Sequence, residues 1–211
     1  MNAKSRIETL LSALCIAREA KENRSISIIF KGISSRILLE VVQADSQGNN
    51  SPTGLYEQAC KDVGDYGADT LAKYEMGEGD QLWFVIDTDQ WDSHISQLKR
   101  SCERRQRWYV AQSNPCFEVW LYYHFFSEDA TSLALADCSA WKSHVNQRVV
   151  GGFDSRKHPI YIIEAITNAK KWFSAPNGVV AYGSTEMFKL GEIIYSMAAS
   201  EVLKARRMLR L

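Results

Sequence analysis

The sequence predicts an α/β protein: a small parallel sheet flanked by helices, continued by a helical C-terminal extension. Three observations carry that prediction. QLWFVI (residues 81–86) is an unbroken apolar run between Gly79-Asp80 and Asp87, the signature of a strand covered on both faces. Strand-like and helix-like segments alternate over residues 25–126. Beyond Ser127 the periodicity is almost entirely helical.

Element by element, Ile7, Leu10, Leu11 and Leu14 recur at helical spacing, with Ser5 and Glu8 as a capping box, so residues 1–24 read as an N-terminal helix. SISIIF (25–30) then has the character of a first buried strand, and RILLEVV (36–42) of a second. DSQGNNSPTG (45–54) is loop composition, and Ser51-Pro52 opens a helix running to about Tyr66. After the 81–86 strand come a helix over 94–105 and a fourth strand, RWYVA (107–111). Asn114 as N-cap and Pro115 at the first turn predict the next helix. Helices follow over 132–147, 159–173 and 185–205. The organisation is therefore the helix 1–24, a core over 25–126, and a helical region 127–211 belonging to the same domain.

At 211 residues and 45% hydrophobic, the chain can bury a real core. Lys plus Arg and Asp plus Glu are each 25, so any nucleic-acid footprint must be local. Five scattered cysteines without a CxxC pair argue against a disulfide framework or a zinc site and for a reducing compartment. The charged start is no signal peptide, and no apolar run is long enough for a membrane span. A cytoplasmic protein is expected.

In open α/β sheets the ligand crevice lies beyond the carboxyl ends of the strands. That points at Asp87 and Asp89, two carboxylates at one strand end. Their mutual repulsion is relieved by a proton or by a cation, and oxygen-only ligands suit Mg²⁺ or Mn²⁺. A polar strand exit is the plainer reading. Ser113 and Asn114 arrive at the same sheet end on the fourth strand, and Glu118 begins the apolar run FEVWLYYHFF, where a buried carboxylate needs a partner. His124 and Cys116 read as packed structural residues. Lys99, Arg100, Arg104, Arg105 and Arg107 crowd one stretch and suit a nucleic-acid backbone or a solvated helix face.

GDQLWFVIDTDQW (79–91) followed by YVAQSNPCFEVWLYYHF (109–125) resembles the paired signature of RloB-like proteins, with weaker similarity in EVVQADSQGNNSP, EAITNAKKWF and STEMFKLGEII. The resemblance implies a Toprim-like fold in which Asp87 and Asp89 hold Mg²⁺ (or Mn²⁺) and Glu118 joins them as catalytic residues. Ser113, Asn114, Arg104 and Arg105 would bind substrate. The implied activity is phosphodiester hydrolysis of DNA or RNA in a prokaryotic anti-phage or abortive-infection system, beside an AAA- or ABC-type ATPase partner and as a possible homo-oligomer. The implied alternative is a catalytically degenerate nucleic-acid-binding or regulatory subunit. Family members follow their first strand with a segment like EGxxTE that supplies an acid–base glutamate. With 25–30 as the first strand, that segment is absent here, and Glu19 and Glu22 precede the strand at its wrong end.

Overall fold

The structure is a computed structural model that describes residues 11–17, 37–43, 51–64, 72–77, 79–88 and 91–210. Its sheet has four parallel strands, β1 (Leu11–Ala17), β2 (Ile37–Gln43), β3 (Gln81–Asp87) and β4 (Trp108–Ser113), in the order β2-β1-β3-β4. β1 is central, pairing with β2 along Leu11↔Ile37 to Ala17↔Gln43 and with β3 along Ala13↔Gln81 to Ala17↔Val85. β3 pairs with β4 from Leu82↔Trp108 to Asp87↔Ser113.

The expected N-terminal helix is thereby corrected. Leu11–Ala17 is a strand, because all seven residues of LSALCIA pair with β2 and Ala13–Ala17 pair with β3 as well, a tertiary reward that local helical spacing does not reveal. Residues 1–10 and the expected strand at 25–30 lie outside the described residues. The second, third and fourth strands fall where expected, each within two residues at its ends.

Helices α1 (Pro52–Asp62) and α2 (Asp92–Glu103) belong to one layer. Ser51 caps α1 through its hydroxyl, and Pro52 occupies the first turn. The other layer holds α3 (Glu118–Tyr123), α4 (Cys138–Arg148), α5 (Ile162–Trp172) and α6 (Met187–Leu209). Side-chain alternation along β3 divides the core in two. Trp83 and Val85 join Trp120, Tyr123, Trp141 and Leu190 beneath α3–α6, while Leu82, Phe84 and Ile86 join Leu55, Ile95 and Leu98 beneath α1 and α2. Both faces are thus covered, as the apolar run at 81–86 requires.

Candidate active site

The order β2-β1-β3-β4 places the point where the chain changes direction across the sheet between β1 and β3. Crevices in such sheets open at that point, beyond the carboxyl ends. Asp87 is the last residue of β3. It shares a face with Trp83 and Val85, so its carboxylate lies on the α3 side of the sheet. Asp89 lies outside the described residues.

Between the two aspartates, Thr88 is 4% exposed and heavily tied. Its N–H donates to the carbonyls of Ser113 (2.8 Å) and Pro115 (3.1 Å). Its hydroxyl donates to the Ser113 carbonyl at 2.9 Å and accepts from Gln112 Nε2 at 2.8 Å. The strand end that carries Asp87 is therefore locked to the end of β4.

The β4 exit is locked in turn by residues 180–186. Ser113 Oγ and Thr185 Oγ1 are 2.7 Å apart, and the two residues form an antiparallel bridge. Asn114 donates its N–H to the Ser184 carbonyl (2.9 Å) and Nδ2 to the Val180 carbonyl (2.8 Å), and its carbonyl accepts from Gly183 N (2.7 Å). Gly183 has φ +75°, and a Cβ there would meet Thr131 N at 2.6 Å, so only glycine fits. These bonds correct the expected helix start. Asn114 caps nothing, the Asn114–Pro115 peptide is cis, and α3 begins at Glu118 because the preceding turn is held by this segment. Ser113 and Asn114 shape the crevice wall; their side chains are committed to protein partners.

Glu118, 7% exposed, opens α3, and its Oε2 is buried without a hydrogen-bond partner. Cys116, fully buried, feels both carboxylates: its thiol is pushed far up by a hydrogen bond with Cys138, by burial, and by the charges of Glu118, Cys138 and Asp87. The Cys116 thiol thus lies within electrostatic reach of both Asp87 and Glu118. A buried carboxylate oxygen without a partner is a group that a hard cation satisfies, and Mg²⁺ characteristically takes one or two protein carboxylates with water and phosphate oxygens. Among the described residues no group of three His, Cys, Asp or Glu side chains gathers around one point.

Arg104 and Arg105 are not brought to this crevice. They follow α2, next to the start of β4, so the length of the strand, about 17 Å at 3.3 Å per residue, separates them from Ser113. Arg105 lies 4.9 Å over the Trp108 ring and donates to Tyr56 Oη at 3.2 Å. His124 is a packed residue as expected: Nδ1 meets the Trp120 carbonyl at 3.0 Å, and burial lowers its pKa to about 4.

A model of the RloB-like protein family matches residues 16–194. The chain belongs to the RloB-like family. No curated protein and no solved structure matches it. The family match starts on the last two residues of β1 and runs through the stretch that follows, REAKENR. The expectation that Glu19 and Glu22 precede the first strand does not hold. With β1 at Leu11–Ala17, Glu19 and Glu22 come after the central strand, not before it. Sequence reasoning also missed Thr88, Gln112, Gly183 and Thr185. STEMFKLG reads as pure helix from its spacing, yet α6 begins only at Met187 because Thr185 and Glu186 are spent on β4. No helix among the described residues is long and apolar enough to cross a membrane.

Proposed function

We propose that this RloB-like chain is a Toprim-like, Mg²⁺-dependent nuclease subunit that hydrolyses phosphodiester bonds in DNA or RNA. The observation that carries the reading is the identity of β1. Ala17 pairs with Val85; Asp87 follows Val85 by two residues, and Glu19 follows Ala17 by two residues in the sequence. A glutamate and the DxD carboxylates thus follow the two strands that flank the switch point.

In this reading Asp87 and Asp89 hold the cation and Glu118 supports it through its unpartnered oxygen. A cation held there would supply polarisation of the phosphate and a lowered pKa for an attacking water. Glu19, which follows β1 in the sequence, would be the base toward an attacking water, with the leaving oxygen protonated from solvent. Thr88 and Gln112 hold the strand end still. The biological setting that fits is a cytoplasmic anti-phage system, in which an AAA- or ABC-type ATPase works beside this chain or an oligomer of it.

The test is incubation of purified protein with labelled single-stranded DNA, duplex DNA and RNA in Mg²⁺, Mn²⁺ or EDTA, with and without the ATPase encoded nearby. Cleavage requires the metal, and Asp87→Asn and Glu19→Gln each slow it about 100-fold or more. Equal rates in both variants, or no cleavage under any condition, sink the nuclease. Metal-dependent binding without turnover selects instead a non-catalytic nucleic-acid-binding subunit.

A further inference from the structure

β4 is the edge of the sheet among the described residues. Its odd-numbered residues turn their backbone groups to β3, as Leu82 N to Arg107 O (2.9 Å) and Thr88 N to Ser113 O show. The even-numbered residues Trp108, Val110 and Gln112 therefore turn N–H and C=O outward. At Gln112 that edge is occupied, since Glu186 N donates to its carbonyl at 2.7 Å. The chain then leaves the edge into α6, and nothing among the described residues pairs with the outward groups of Trp108 and Val110.

Two cavities follow this edge and share Lys99. One of about 250 Å³, near the carboxyl end, is lined by Ser93, Ser96, Lys99, Gln112, Gly178 and Val179. The other, of about 360 Å³, includes Lys99, Arg105, Arg107, Tyr109, Val110 and Glu186. Together they make one trough along β4, from Gln112, whose amide holds Thr88 next to Asp87, to Arg107 at the start of the strand. Residues 99–107 hold five cations, Lys99, Arg100, Arg104, Arg105 and Arg107, and one carboxylate, Glu103, in a chain of formal net charge zero. The cavity walls carry Lys99, Arg105 and Arg107 against Glu103 and Glu186, and Glu186 is paired with both Lys99 at 2.8 Å and Lys189 at 2.7 Å, so cations outnumber carboxylates there. Tyr109, 39% exposed, lies at the trough with its ring stacked on Trp83 at 4.7 Å.

We propose that this trough is the path of a single-stranded nucleic acid leading to the Asp87 crevice. Its phosphates run along Lys99 and Arg107, with the Val110 N–H as a backbone donor, and one base stacks on Tyr109. Bases inside a duplex are already stacked on one another, so a tyrosine platform selects an unpaired strand. The proposal rests on the nuclease reading for the direction of the path, but the binding surface is independent of cleavage.

Fluorescence anisotropy tests it with fluorescein-labelled 12-nucleotide oligo(dT) and oligo(U), in EDTA so that no cleavage occurs. Arg107 has φ +63°, which asparagine tolerates, so Arg107→Asn removes the charge without forcing the backbone. Arg107→Asn weakens binding about fivefold and lowers the salt slope by about one. Tyr109→Ala weakens it at least fivefold with the salt slope unchanged, and Asp87→Asn leaves binding in place while abolishing cleavage. The path is overturned if wild-type protein binds neither oligonucleotide, or if both trough variants bind as tightly as wild type. It is also overturned if a 12-residue polyglutamate displaces the strand at equal charge concentration, which would assign the open edge to an acidic peptide. Cleavage that survives Asp87→Asn, with binding still sensitive to Arg107→Asn, removes the nuclease assignment and keeps the path.

Discussion

The two layers that cover the sheet use their polar residues differently. Beneath α1 and α2 the core is small and almost purely apolar, built on Leu55, Leu82, Phe84, Ile95 and Leu98. It too holds a buried acid, Asp62, 7% exposed with Oδ2 unpartnered, while Lys99 and Arg105 cover acidic or aromatic neighbours at the rim. Beneath α3–α6 the core is larger and aromatic, yet it encloses Glu118 Oε2 and His124 Nε2 without hydrogen-bond partners. Each such group costs about 1–3 kcal/mol when left unsatisfied. The layer with the larger apolar surface carries more such groups, and it is the layer that meets Asp87.

The strongest blow to that contrast is Trp120→Ala. Trp120 is fully buried at the meeting of α3, α5 and α6, close enough to Gly191 that a Cβ there would lie 3.1 Å from the indole. Its truncation should cost about 4 kcal/mol in urea or thermal unfolding. Leu98→Ala, in the small layer, should cost about 2–3 kcal/mol and leave metal response intact. If the two costs are equal, the layers are not energetically distinct.

The next effect is pH-dependent. Burial holds His124 neutral, opposed by its hydrogen bond to the Trp120 carbonyl, with His158 lowering and Glu164 raising its pKa. The unfolded chain takes up a proton near the ordinary value of about 6.5, the folded protein only near about 4. The unfolded state therefore binds more protons within that window, and stability falls as pH drops from 6.5 toward 4, by up to about 3 kcal/mol. Denaturant midpoints at pH 7 and pH 4.5 measure this, and His124→Gln should flatten the profile.

The smallest effect is the most informative about the site. Glu118→Gln removes a buried charge that lacks a full set of partners, so the metal-free variant should be more stable than wild type by about 1 kcal/mol. Wild type should gain about 2–3 kcal/mol in Mg²⁺ at a hundred times its dissociation constant, and the variant should lose most of that gain. A destabilised Glu118→Gln variant with an undiminished Mg²⁺ response would make Glu118 a structural acid.

The fold was largely legible where one face or both faces of an element bury apolar residues. QLWFVI, ILLEVV and WYVA announce strands because their composition reports burial directly. Leu11–Ala17 was not legible: LSALCIA joins onto a preceding stretch with helical spacing, and only its two neighbouring strands select the extended form. Reading that segment as helix is what put Glu19 before the first strand in the sequence rather than after it. Asp87 and Glu118 were legible as charges stranded in apolar runs. Thr88, Gln112 and Gly183 were not, since small polar residues carry no signal until their partners, up to 74 residues away along the chain at Gln112–Glu186, are brought beside them.

By itself the amino-acid sequence determined the α/β class, the DxD strand end, the buried acid at Glu118 and the cationic stretch 99–107, because composition and short periodicity encode burial and local charge. Tertiary structure decided which strand is central, and hence which glutamate follows it. It also decided that Arg104 and Arg105 lie a strand length away from Asp87, and that residues 180–186 clamp the turn at Asn114. Those are outcomes of long-range pairing, in which the same local segment can serve as helix or strand until its neighbours supply the hydrogen bonds and the buried surface that settle it.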